Sequence, residues 1–141
     1  MNFGQQNGVE EAGDHVLSYV NSLIFDLSPL VFENHVNNEA WKLLHELANR
    51  TDEKPIILFT HIPLYKPDGA CHDNFSLERL PENGHILEQT MLTRETSDFI
   101  LNQVKPKYIF NGHDHYGCYY YHNQSGTHEY TIRSIMGDYG G

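Results

Sequence analysis

Basic residues are scarce in this chain: nine lysines and arginines stand against nineteen acidic residues, a formal net charge of −10 with histidine neutral. No three basic residues lie in a row. No face can therefore neutralise a run of phosphates, and nucleic acid is not an expected partner. Long hydrophobic runs are missing too. Ile56–Phe59 is a clean run, while Asp26 and Pro29 interrupt the stretch from Leu23 to Phe32. Neither approaches the ~20 apolar residues of a membrane helix. No basic-then-apolar segment follows Met1, so no signal peptide is expected there. Cysteine is nearly absent. Cys71 and Cys118 fit no zinc-finger spacing. They are either two unrelated buried thiols or a disulfide, and a disulfide would imply an oxidising compartment.

What is present describes one folded domain. The chain has 141 residues, 39% of them hydrophobic, with seven Phe, nine Tyr and one Trp. That suffices for one core and is too little for two. Three N-x-[ST] sequons begin at Asn49, Asn74 and Asn123. All fall in stretches that read as loops or element ends, which favours a glycosylated, lumenal chain.

Residues 1–15 are polar and glycine-rich and read as an irregular lead-in. Tyr19–Leu27 is rich in strand formers and reads as a strand. Residues 37–50 form the clearest helix, capped by Asn37 or Asn38, with Trp41, Leu44, Leu47 and Ala48 on one stripe. Next, "KPIILFTHIP" reads as a strand buried on both faces. Residues 64–91 carry Pro67, Gly69, Pro81 and Gly84 without clear periodicity, and are expected to be a long functional loop in which His72 merely sits. A helix follows over 93–104, started by Thr93 and stopped by Lys105-Pro106. "KYIF" is then a short strand, and "CYYYHN" with "HEYTIRSI" a hairpin around "NQSGT". The terminal "GDYGG" reads as a glycine-rich turn. The order predicts an α/β or α+β fold. Helical connections favour "PIILF" and "KYIF" as parallel neighbours, with their C-terminal ends on one sheet edge.

Both ends carry histidine: His61 after "ILFT", His113 and His115 after "IFNG". Imidazole is a common ligand for Zn, Mn and Fe ions, and a site needs ligands converging from separate elements. Gly112 is expected to let the chain leave the strand in a conformation other residues avoid. The alternative is ordinary surface or core histidines, since His15, His35, His45, His72, His85, His122 and His128 also occur. Of these, His45 on the Trp41 helix reads as structural.

"FTHIP" followed by "NGHDH" resembles the last two motifs of the calcineurin-like metallophosphoesterases. The wider runs "HIPLYKPDGAC", "GHDHYGC" and "YTIRSIMGDYGG" resemble the secretory-pathway branch that removes ethanolamine phosphate from a mannose of GPI anchors. The resemblance covers residues 55–141 well and 17–50 more loosely. It implies the C-terminal half of a four-layer α/β/β/α sandwich, a membrane-anchored protein of the ER or Golgi lumen, and a Cys71–Cys118 disulfide. It further implies that His61 and His113 bind one ion of a pair, preferably manganese, and His115 the other. Two such ions would clamp a phosphodiester and hold the attacking water. Tyr65 and Asp68, just past His61, become candidates for lining the substrate cleft.

The family's D-x-H, G-D-x-x-D and G-N-H-[DE] motifs are absent. "GDH" at Gly13–His15 lacks the second acid, and "ENH" at Glu33–His35 lacks the glycine and the following acid. No catalytic acid can be assigned, and the three histidines alone are expected to hold at most one ion weakly. Residues 1–141 therefore read as a partial domain, expected to be inactive by itself. Two other readings stay open: a non-catalytic binding module, and a mononuclear metal-binding domain.

Overall fold

The computed structural model of the chain describes residues 6–135; the expected turn at "GDYGG" lies outside them. The strands are β1 (Gly8–Ala12), β2 (His15–Tyr19), β3 (Ile56–Phe59), β4 (Leu77–Arg79), β5 (Ile86–Gln89), β6 (Tyr108–Asn111), β7 (Cys118–His122) and β8 (Thr127–Thr131). The helices are α1 (Val31–Asn37), α2 (Glu39–Ala48) and α3 (Arg94–Phe99). Six strands form one sheet in the order β1-β2-β3-β6-β8-β7, and β4 and β5 form a separate hairpin. The inner pairs β2–β3, β3–β6 and β6–β8 are parallel, and the outer pairs β1–β2 and β7–β8 antiparallel. This is the expected mixed α/β architecture with a mostly parallel centre. Among the described residues no helix is long and apolar enough to cross a membrane.

The N-terminal third departs from the sequence reading. Residues 8–15, expected within an irregular lead-in over 1–15, instead belong to a hairpin that runs to Tyr19. Gly13, at φ 61, takes the first central place of its two-residue turn, the position that demands positive φ. β1 is an exposed edge strand carrying Glu10 and Glu11, so it lacks the alternation that marks strands in sequence. The strand expected over Tyr19–Leu27 ends at Tyr19. The Asn21 side chain accepts the Leu23 N–H and starts a 3-10 turn over Ser22–Ile24, which breaks the extended conformation. Helix α1 was not anticipated.

Asn38, not Asn37, caps α2, accepting the N–H groups of Ala40 and Trp41. Ala40, Trp41, Leu44 and Leu47 are buried on α2. With Ile100 and Val104 they pack on Val16, Leu58 and Ile109 of the sheet. The Trp41 indole N–H donates to the Phe25 carbonyl at 2.9 Å. The expected helix over 93–104 is α-helical to Phe99 and π-helical over Ile100–Val104, ending at left-handed Lys105. Thr93 is its cap. The supposed loop 64–91 contains β4 and β5, whose three and four residues are too short and too exposed to show a period.

Among the described residues the opposite sheet face has no helix on it. Phe59, Tyr119 and Tyr121 are exposed, and the rings of Phe59, Phe110 and Tyr130 stack at 5.6 and 5.3 Å. Parallel sheets are normally covered on both faces.

On the helical side His35 stacks on Trp41 at 3.6 Å, and its Nδ1 lies 3.2 Å from His45 Nε2. Burial, then the neighbouring His45, lowers the His35 pKa below the ordinary 6.5. A depressed histidine favours the native state above its unfolded pKa, and that contribution is lost as pH falls through the folded value. Urea midpoints should therefore drop between pH 7.5 and 5.5, and less so in His35→Phe. The Cys71–Cys118 disulfide closes a loop of sequence separation 47, which constrains the unfolded chain by about 4 kcal/mol in the loop-entropy account. Reductant should lower the unfolding free energy on that scale, and a Cys71→Ser/Cys118→Ser double variant should no longer respond to it.

Candidate metal centre

Parallel pairing of β3 with β6 sets Leu58 beside Ile109 and Phe59 beside Phe110. The ladder continues past both strands, with Thr60 N–H donating to the Phe110 carbonyl at 3.0 Å and Gly112 N–H to the His61 carbonyl at 3.1 Å. His61 and His113 thus leave the sheet side by side. The buried Ser22 hydroxyl anchors the first of them, accepting the N–H of His61 at 2.9 Å and of Ile62 at 2.8 Å.

His113 Nδ1 lies 3.2 Å from His61 Nε2. Two imidazole nitrogens bound to one ion at 2.0–2.1 Å and tetrahedral angle sit about 3.3 Å apart, so this pair fits a shared divalent ion. His113 Nε2 lies 2.7 Å from the Gln89 carbonyl. That contact makes Nε2 the protonated donor and leaves Nδ1 free for an ion, the usual orientation of a ligating histidine. Burial, then the charges of His113 and His115, lowers the His61 pKa. The neutral ring is the form that ligates.

The turn itself differs from the expectation. Gly112 is not at positive φ; His113 is, at φ 69, while Asp114 N–H donates to the Gly112 carbonyl at 2.8 Å. A hydrogen bond across a positive-φ residue is a γ-turn, rare and strained outside glycine. In this turn the His113 ring lies against His61 and the Gln89 carbonyl. His115 follows, its carbonyl accepting from Ser134 N–H at 3.0 Å, near enough for its charge to act on His61.

His113 and Ile62 line an open cleft of about 810 Å³ together with Leu23, Leu27, Leu30 and Leu87 and the polar Glu33, His85 and Glu88. Tyr65 and Asp68 do not line it. The Tyr65 hydroxyl accepts from Arg94 Nη2 at 3.0 Å, and its ring borders a different, 320 Å³ hollow shared with Asn123. Asp68 is exposed in a turn closed by Ala70 N–H on the Pro67 carbonyl. Asn49, Asn74 and Asn123 are all exposed.

His72 is more than a loop residue. The disulfide, with Cα atoms 5.7 Å apart, brings it beside the histidine turn. Its ring stacks on Tyr116 at 3.6 Å, and ligand atoms of His72, Asp73 and Asp114 all lie within 4.8 Å of one another. This second group could hold a cation. Asp114 is buried and accepts the Tyr116 N–H at 2.9 Å.

Three supporting residues carried no sequence signal. Ser22 and Gln89 are described above. Asp26, buried, accepts Gln89 Nε2 at 2.6 Å, the Thr93 N–H at 2.9 Å and the hydroxyls of Thr93 and Thr96 at 2.8 and 2.6 Å. It thereby fixes the end of β5 whose carbonyl meets His113. Each is an isolated polar residue in sequence, and only the fold gives it a partner.

The model of the family Calcineurin-like phosphoesterase matches residues 5–117. An uncharacterized protein of Schizosaccharomyces pombe is 34% identical over 123 residues, covering 86% of this chain and 28% of that protein. Protein TED1 of Saccharomyces cerevisiae is 29% identical, covering 72% of this chain and 27% of its own length. A Metallophosphoesterase 1 homolog of Caenorhabditis elegans is 30% identical, with 70% and 28% covered. The chain thus spans little more than a quarter of these relatives. No solved structure gives a significant match. With most of its length matched and two histidine motifs on adjacent strand ends, this chain belongs to the calcineurin-like phosphoesterases.

Proposed function

We propose that His61, His113 and His115 are one side of a two-ion phosphodiesterase centre, and that the whole enzyme removes ethanolamine phosphate from a mannose of GPI anchors. The carrying observation is the 3.2 Å approach of His61 Nε2 to His113 Nδ1, with His113 oriented by the Gln89 carbonyl. His61 and His113 would hold one ion and His115 the second, manganese being the preferred metal. Bound divalent ions supply Lewis acidity at the phosphoryl oxygens and lower the pKa of water. The neutral imidazoles of this chain leave the ions' positive charge undiminished. The largely apolar cleft beside His113 would seat an uncharged part of the substrate.

Support for the branch is the disulfide that ties "HIPLYKPDGAC" to "GHDHYGC", together with the exposed sequons. Both suit the ER or Golgi lumen. Membrane anchoring would come from segments outside these residues. In this reading the chain supplies the histidine-bearing strands of the centre, and its uncovered aromatic sheet face suits packing against another sheet. That face also favours a second reading, a non-catalytic module that binds a protein partner there. A chain that binds no manganese would point to the module.

Manganese titration of the purified chain by calorimetry tests the proposal. About one weakly bound ion is expected, with affinity falling at least ~10-fold in His61→Ala and in His113→Ala. Bis-p-nitrophenyl phosphate should not be hydrolysed. Manganese-dependent turnover abolished by His113→Ala would instead mean that the centre is complete within these residues.

A further inference from the structure

One carboxylate, on a strand that carries none of the candidate ligands, touches both histidine-bearing segments. Glu129 of β8 is fully buried. Its Oε1 accepts from Leu64 N–H at 2.9 Å, three residues past His61, and from Asn111 Nδ2 at 2.7 Å, two residues before His113. The same oxygen accepts from Lys66 Nζ at 2.8 Å, and Oε2 lies 2.6 Å from His122 Nε2 on β7. Lys66 is itself 1% exposed. The parallel register sets Glu129 opposite Ile109, on the helical face, from which its side chain reaches the end of β6.

A stability argument alone does not account for this arrangement. Burying a charged group costs several kcal/mol of hydration, and an apolar side chain of similar size would serve the core at least as well. What the carboxylate adds is direction, because its bonds fix donors from three separate segments at defined distances. Burial pushes the Glu129 pKa up, but the His122 bond and the Lys66 charge outweigh it and hold the pKa below the ordinary value. The group is therefore an ionised acceptor. Asn111 is also buried, and its Oδ1 has no hydrogen-bond partner among the described residues. Among the described residues its amide is held by Glu129 alone.

We infer that Glu129 is a positioning residue for the metal centre, locking the segment after His61 against the segment before His113 so that their ring nitrogens meet at ligand spacing. The inference rests on the reading of His61 and His113 as ligands. Two readouts on the full chain keep the two apart: ring ¹⁵N shifts of His61 and His113 without metal, and zinc affinity by titration.

Glu129→Gln should move both rings' shifts and weaken zinc at least ~10-fold. Asn111→Ser, which leaves the Lys66–Glu129–His122 group in place, should move His113 more than His61. Leu44→Ala in the helix–sheet core should lower stability while leaving shifts and affinity unchanged. If Glu129→Gln does not fold, Asn111→Ser carries the comparison. Unchanged rings and affinity in the folded variants would overturn the inference. A wild-type chain that binds no zinc would sink the ligand reading, while the metal-free shifts would still decide whether Glu129 sets the ring geometry.

Discussion

The parallel pairing of Ile56–Phe59 with Tyr108–Asn111 is the constraint from which the rest of the site follows. The register puts Phe59 beside Phe110. Two further backbone bonds carry the ladder beyond the strands, so the residues that emerge are His61 on one side and Gly112-His113 on the other. Each such bond contributes only about 1 kcal/mol net. Together they leave the two loops little freedom to slide, because a one-residue slip would turn Leu58 and Ile109 out of the core.

Around that pair the chain has placed polar groups that an apolar core would not require. Ser22 holds the His61 backbone, Gln89 orients the His113 ring, and Asp26 and Glu129 hold the segments on which these depend. The positive φ of His113 belongs to the same pattern: a strained residue persists only where its surroundings over-determine it. The helical face of the sheet is packed and specific, whereas the aromatic face is open. Among the described residues the sheet is thus finished on one side and leaves Phe59, Tyr119 and Tyr121 uncovered on the other.

The parts legible in sequence were those with a strong period or a continuous apolar run. Ile56–Phe59 and Tyr108–Phe110 read as strands because no polar residue interrupts them, and α2 read as a helix from its Trp41, Leu44 and Leu47 stripe. The histidines at the strand ends stood out for the same reason. The edge strand β1 and the short β4 and β5 carry exposed acids and no clean alternation, so nothing in their sequence marks them as strands. The unusual backbone conformation expected at Gly112 falls on His113, because glycine ordinarily takes positive φ and here it accompanies the backbone bond across His113. Glu129 and His72 were illegible for a different reason. Their partners lie 63 residues away at Lys66 in one case, and across the disulfide at Asp114 in the other.

Anomalous diffraction from crystals of the chain soaked in manganese or zinc tests the central claim most directly. The account requires a peak within about 2.0–2.3 Å of both His61 Nε2 and His113 Nδ1, with His113 Nε2 still on the Gln89 carbonyl. A metal found only among His72, Asp73 and Asp114, with nothing between the two strand ends, would contradict it.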